Sequence, residues 1–173
     1  MQRPSHEYLE IFLQPGEFHF SDDPDVRLRT LLGSCVAMTM WHPRRRYGAM
    51  CHYLLPTRVT RQAGDELDGR FGDEAYTLFR REAARVGTEP NDYQIKIFGG
   101  GDMFPNVRKV ARDGIGQQNI AAALGLLESH RHPVKARHVG GQGHRVVMLD
   151  VWDGTAWVKH QPTPKGAGGS GRP

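Results

Sequence analysis

Two residues, Cys35 and His52, are of the types and spacing that support nucleophilic catalysis. Cys35 lies in Thr30-Leu31-Leu32-Gly33-Ser34-Cys35-Val36-Ala37, between a glycine turn and an apolar run. A cysteine at such a junction can project its sulfur into a cleft rather than into a core. The thiol is a strong nucleophile once ionised, and ionisation near neutrality needs a base or a positive partner. His52 lies in Cys51-His52-Tyr53-Leu54-Leu55-Pro56. If residues 36–42 and 47–54 pair as a hairpin about the Pro43–Arg46 turn, the start of one strand faces the end of the other. That pairing brings Cys35 and His52 together. The plainer alternative is that each is structural, since free cysteine is usually a small buried hydrophobe. Cys51 adjoins His52, but neighbours on a strand point to opposite faces. It is expected in the core.

Other chemistries have weaker signals. The histidines are scattered, without a Cys-x-x-Cys or His-x-x-x-His pair, so no metal site is expected. His130-Arg131-His132 reads as the polar end of a helix, where cations suit the helix dipole. Gly99-Gly100-Gly101 lacks the Gly-Lys-Ser/Thr of a phosphate loop. It marks either a close backbone approach to substrate or catalytic residues or an ordinary tight turn.

The elements that must position these residues follow from patterning. Strands are expected at residues 8–13, 17–20, 36–41, 47–54, 93–98, 134–139, 145–151 and 156–159. Helices are expected at 73–86, closed by Gly87, and at 115–129, with Ile120, Leu124 and Leu127 on one face. Residues 56–69 are polar and aperiodic, an exposed loop. With neither repeats nor regular strand–helix alternation, the pattern predicts an α+β fold: two main helices on mixed, largely antiparallel sheets.

The chain has 173 residues, 38% of them hydrophobic, which suits one domain at 1–160 followed by a flexible Gly/Pro-rich tail at 161–173. The net charge is +4, but Lys165 and Arg172 of the tail supply two of those charges. The run Arg44-Arg45-Arg46 fits a solvated hairpin tip, so no nucleic-acid partner is expected. The first residues are polar and no stretch is long and apolar enough to span a bilayer, so a cytoplasmic protein with reduced thiols and no membrane insertion is expected.

Taken together, several segments resemble the CheD family of chemoreceptor glutamine deamidases. They are Leu32-Gly33-Ser34-Cys35-Val36-Ala37, Gly48-Ala49-Met50-Cys51-His52-Tyr53-Leu54-Leu55-Pro56, Lys96-Ile97-Phe98-Gly99-Gly100-Gly101-Asp102-Met103-Phe104, Ile115-Gly116-Gln117-Gln118-Asn119, and Gly140-Gly141 with Arg145. Order and spacing hold from about Thr30 to Lys159. The resemblance implies an α+β sandwich like the catalytic domain of the cytotoxic necrotizing factor toxins. It also implies Cys35 as nucleophile, His52 as general base and acid, and Thr30 as the residue orienting the imidazole, with no cofactor.

The implied substrates are the cytoplasmic domains of chemoreceptors, whose glutamines would become glutamates through a cysteinyl thioester. Three alternatives stand beside this: a receptor glutamyl methylesterase, a binding module acting on a CheC-type phosphatase, and a general cysteine peptidase. Two departures from the family pattern are visible. Its threonine is commonly six residues before the cysteine, where this chain has Arg29, with Thr30 five before. His144 stands where the family usually has glycine.

Overall fold

The segment Val26-Arg27-Leu28-Arg29-Thr30-Leu31-Leu32 alternates side chains inward and outward at the two-residue period of a strand. The sequence expectations place no strand there, yet it organises the fold. Its two arginines alternate with aliphatic residues, and Arg27 is buried. Its Nε and Nη2 donate to Asp150 Oδ1 and Oδ2 at 2.6 and 3.0 Å, and both residues are buried. Trp157 Nε1 donates to the same carboxylate at 2.8 Å, and the Tyr8 ring stacks on the guanidinium. A paired, hydrogen-bonded charge is tolerated in an interior where a lone one is not.

The structure, a computed structural model, describes residues 7–104 and 114–162. The expected tail therefore lies, from residue 163 onward, outside the described residues. The strands are β1 (Leu9–Leu13), β2 (Phe18–Ser21), β3 (Val26–Leu32), β4 (Val36–His42), β5 (Tyr47–Cys51), β6 (Gln94–Gly99), β7 (Val134–Val139), β8 (His144–Asp150) and β9 (Ala156–Gln161). The helices are α1 (Gly72–Arg85) and α2 (Ile115–Ser129), with a short 3₁₀ turn at Pro90–Asp92. Two sheets form, one in the order β1-β3-β8-β9 and the other β2-β5-β4-β6-β7. Only the β1/β3 and β6/β7 pairings are parallel among the described strands, so the sheets are mixed and largely antiparallel, as expected for this α+β chain.

Alternation along β4 and β5 builds two core layers. Val36, Met38 and Met40 pack with Ala49, Cys51 and Tyr53 against Ala75, Phe79, Ile120 and Leu127 of the helices. Ala37 and Met50 face the other way, onto Leu28, Leu32, Val147 and Leu149 of the four-stranded sheet. The chain crosses between the sheets at Gly33-Ser34-Cys35, the link from β3 to β4. That crossing puts Cys35 at the edge of the inter-sheet layer.

Two surface expectations need adjusting. The 56–69 loop is exposed over much of its length but is pinned by Arg58, which donates to both oxygens of the buried Glu74 carboxylate at 2.8 Å. His132 is not a cation at a helix end. It is buried beneath α1, accepting from Tyr76 Oη at Nδ1 (3.1 Å) and donating from Nε2 to Tyr93 O (2.9 Å). Burial pushes its pKa down, and a neutral imidazole satisfies both contacts.

The Arg27–Asp150 pair holds β3 on β8, so Asp150→Ala should leave a buried guanidinium uncompensated. The expected loss is about 3–5 kcal/mol of unfolding free energy, read by urea denaturation. A loss below ~1 kcal/mol would show that the pair is solvated.

Candidate active site

On β3, Thr30 shares the inward face with Leu28 and Leu32, and its side chain is fully buried. Arg29 points the opposite way and donates to Glu10 at 3.2 Å on the surface. Strand parity therefore selects position 30, not 29, for any role between the sheets.

The Thr30 hydroxyl lies 2.9 Å from Leu13 O and 2.7 Å from His52 Nδ1. A backbone carbonyl can only accept, so the single hydroxyl proton goes to Leu13. Thr30 must then accept, which makes His52 Nδ1 the protonated nitrogen and leaves the Nε2 lone pair available. The His52 backbone is held as firmly. Its N–H donates to Glu17 O at 2.9 Å, and its carbonyl accepts from Gly16 N at 2.7 Å. The Pro15-Gly16 turn after β1 is thus a bracket for the histidine.

Beyond the regular ladder, Val36 and Tyr53 exchange both backbone hydrogen bonds, at 3.1 and 3.0 Å. This register continues that of β4 with β5, where Thr39 faces Met50. It places Ala37 opposite His52, and Cys35 diagonally from His52 on the same inter-sheet face. Such diagonal neighbours lie roughly 7–8 Å apart at Cα and somewhat less at Cβ. Among the described residues, no hydrogen bond joins the Cys35 sulfur to the His52 ring. The expected hairpin thus brings the two onto one face, with Thr30 bonded to the histidine.

Burial sets the protonation state. It pushes the Cys35 thiol up, against the opposing pull of the residue's own backbone N–H. It pushes His52 down to about 4, opposed by nearby Glu17. Both shifts favour the uncharged thiol and imidazole at rest. Cys51 is different in kind: fully buried on the helix side of the sheet, it is pushed up to about 12. It is a core residue, as its parity predicts.

The glycine clusters serve this crossing. Gly99, at φ 106°, approaches so closely that a Cβ there would overlap Cys35 O. Gly100 N donates to that same carbonyl at 2.8 Å, and Gly101 N to Gly33 O at 2.9 Å. The later cluster seals the first, with Gly140 N donating to Gly99 O at 2.9 Å and Asp102 N to Gly141 O at 2.7 Å. Arg145, buried between the sheets, supports that loop by donating to His138 Nδ1 at 2.8 Å and to Gly140 O. His144 points outward to Gln161 at 2.5 Å, away from the cysteine turn. Beside Ser34 opens a cleft of about 520 Å³, lined also by Gly100, Gly101, Met103, Phe104, Gly116 and Gln142. Among the described residues, no three metal-ligating side chains converge, and no helix is long and apolar enough to cross a membrane.

One polar residue at this site is not singled out by the sequence reasoning. Asn119 is fully buried on the stripe of α2 that includes Gly116, Ile120, Ala123 and Leu127. Its Nδ2 donates to Ser34 O at 3.2 Å and Leu54 O at 2.8 Å. An amide at an apolar helical position was the available signal.

The Thr30–His52 contact should be testable by size-matched substitution. Thr30→Val keeps the volume but strands the buried Nδ1–H, so turnover should fall by about tenfold at ~1.4 kcal/mol. Thr30→Ser should retain most of it. Equal turnover by the valine and serine variants would remove the hydroxyl from the account.

The comparisons with known proteins bear on the family. The family described as CheD chemotactic sensory transduction matches residues 54–160. A protein of Pseudomonas syringae pv. tomato named probable chemoreceptor glutamine deamidase CheD is 49% identical over 155 residues, 89% of this chain and 90% of its own length. One from Dechloromonas aromatica, named probable chemoreceptor glutamine deamidase CheD 3, is 45% identical over 96% of this chain and 95% of its own. Among solved structures, YlmD from Geobacillus stearothermophilus superposes with a TM-score of 0.40 at 11% identity, covering 72% of this chain and 51% of that one. That likeness is too slight to bear on the chemistry. With motifs, spacing and relatives in agreement over most of its length, the chain belongs to the CheD family.

Proposed function

We propose that the chain deamidates glutamine side chains of chemoreceptors, acting as a cysteine hydrolase in chemotactic adaptation. The observation that carries this reading is the buried Thr30–His52 hydrogen bond, which leaves Nε2 as a base on the face that Cys35 shares. The names of the relatives support the substrate class.

In the proposed sequence the Cys35 thiol passes its proton to His52 Nε2, and the sulfur attacks the glutamine side-chain carbonyl carbon. A C–S bond forms and the carbonyl oxygen becomes an oxyanion. His52 then gives its proton to the departing nitrogen, the C–N bond breaks, and ammonia leaves a thioester. Water next attacks that carbonyl while His52 takes one of its protons. The C–S bond breaks, the sulfur recovers its proton, and glutamate is left. Contact between sulfur and imidazole tightens when substrate fills the site, as catalytic hydrogen bonds commonly do. The chemistry makes no call on a metal or organic cofactor.

The test is incubation with a purified receptor cytoplasmic fragment, reading each glutamine by mass spectrometry alongside ammonia release. Conversion at discrete glutamines supports the reading. Backbone cleavage, or an unchanged fragment, would oppose it.

A further inference from the structure

We infer that Asn119 is a positioning residue that fixes the Ser34–Cys35 peptide so that the Cys35 N–H serves as an oxyanion donor. This rests on the cysteine-hydrolase reading above and adds to it the identity of one donor and of the residue that aims it. The backbone accounting is what calls for Asn119. The ladder between the two strands ends at Val36–Tyr53. Past that point the chain turns away, with Leu54 N and Leu55 N both donating to Arg70 O. The carbonyls of Ser34 and Leu54 are then without a ladder partner, and a buried carbonyl needs one. The Nδ2 of Asn119 supplies a proton to each, clasping the chain just before β4 to the chain just after β5, where Cys35 and His52 lie. Helix α2 is itself tied to this corner, because the Tyr53 hydroxyl donates to Asn119 O.

The consequence for chemistry comes from peptide planarity. In a trans peptide the C=O and the following N–H point in opposite directions. Holding Ser34 O against Asn119 therefore turns the Cys35 N–H away from α2. Among the influences on the Cys35 thiol, its own backbone N–H is the one that favours the thiolate, against the larger effect of burial. A donor in that place also lies beside the carbon under attack, where an oxyanion develops. Among the described residues, Asn119 Oδ1 has no hydrogen-bond partner and is buried. An unpaired buried acceptor is costly, so the amide's value at this position lies in its two N–H groups.

The experiment uses the full chain with Asn119→Leu, which keeps much of the volume but cannot donate, and Asn119→Ala. The rate of Cys35 alkylation by iodoacetamide is followed against pH, together with kcat and KM for receptor deamidation. Because the chain has two cysteines, ¹⁵N-cysteine labelling gives one backbone amide signal for Cys35 and one for Cys51. The expected result is an upward shift of the Cys35 alkylation midpoint, movement of the Cys35 amide with Cys51 unmoved, and kcat down by about 10²-fold with KM nearly constant. Folded variants with unchanged alkylation profile, Cys35 amide and kcat would reduce Asn119 to a structural clasp and overturn the inference.

Should neither variant fold, the wild type decides the matter. A peptide bearing a glutamate γ-semialdehyde in place of glutamine adds the Cys35 sulfur at its carbonyl carbon, the thiol proton ending on oxygen. Downfield movement of the Cys35 amide proton at saturation is expected; no movement would overturn the donor role. A wild type that leaves receptor glutamines intact would defeat the deamidase reading itself. A wild type that deamidates while Asn119→Ala does so equally well would defeat only this inference.

Discussion

Replacing Cys35 by alanine should abolish receptor deamidation, while replacing Cys51 by alanine should leave turnover essentially as it was. Both are free thiols, so the contrast isolates position rather than chemistry. Cys35 sits at the crossing between sheets, half-buried, with its carbonyl pinned by Gly100 and its sulfur on the face of His52. Cys51 faces the helices, fully buried, with its thiol pushed up to about 12. It neither ionises near neutrality nor meets solvent. In the proposed mechanism the sulfur of residue 35 forms the covalent intermediate, and binding and oxyanion donors alone do not supply a nucleophile. Deamidation by Cys35→Ala should therefore lie at the background of the receptor fragment alone, measured by mass spectrometry over a long incubation. A Cys35→Ala protein with even a tenth of wild-type turnover would require a different nucleophile.

Replacing His52 by glutamine should lower kcat by about 10²–10⁴-fold, the usual cost of a lost general base and acid. It should also change the response to pH in a way that follows from burial. Burial pushes the folded His52 down to about 4, below the ordinary imidazole value of about 6.5. Between those values the unfolded chain binds a proton at this residue and the folded chain does not, so stability rises with pH. The contribution is full above about pH 6.5 and is lost as pH falls through about 4. Its size is on the order of 3 kcal/mol. His52→Gln should remove that part of the acid sensitivity, visible as a flatter dependence of the urea midpoint on pH from 7 to 4. For the wild type, the acid limb of kcat/KM should fall near pH 4, with turnover at pH 5.5 close to that at pH 7. An acid limb near pH 6.5 would place the imidazole in water and contradict the buried, Thr30-bonded geometry.

Much of this was legible in the sequence, and the gaps have physical causes. The hairpin of β4 and β5 is visible as two apolar runs about a Pro-Arg turn, and parity alone separates His52 from Cys51. The α2 helix is readable from end to end because its apolar period is unbroken except at Asn119. Strand β3 is harder to see. Arg27 and Arg29 look alike in sequence, yet one is buried against Asp150 and the other lies on the surface. The partner that makes Arg27 tolerable is 123 residues away. Without β3 the threonine has no parity, so its assignment leans on family resemblance, which favours position 29 by count. The structure places Thr30 inward with Leu28 and Leu32, against His52, and Arg29 outward. His132 misleads for a similar reason: a histidine at a helix end suggests a cation, whereas Tyr76 and Tyr93 make it a buried neutral link.

The covalent step is the centre of the account, and it can be caught directly. Wild-type protein mixed with a receptor peptide and quenched in acid within the first turnovers should carry the peptide on Cys35. The adduct mass should equal protein plus peptide less one ammonia, and hydroxylamine should release it. Glutamine conversion at full rate with no adduct on that sulfur at any quench time would contradict the mechanism.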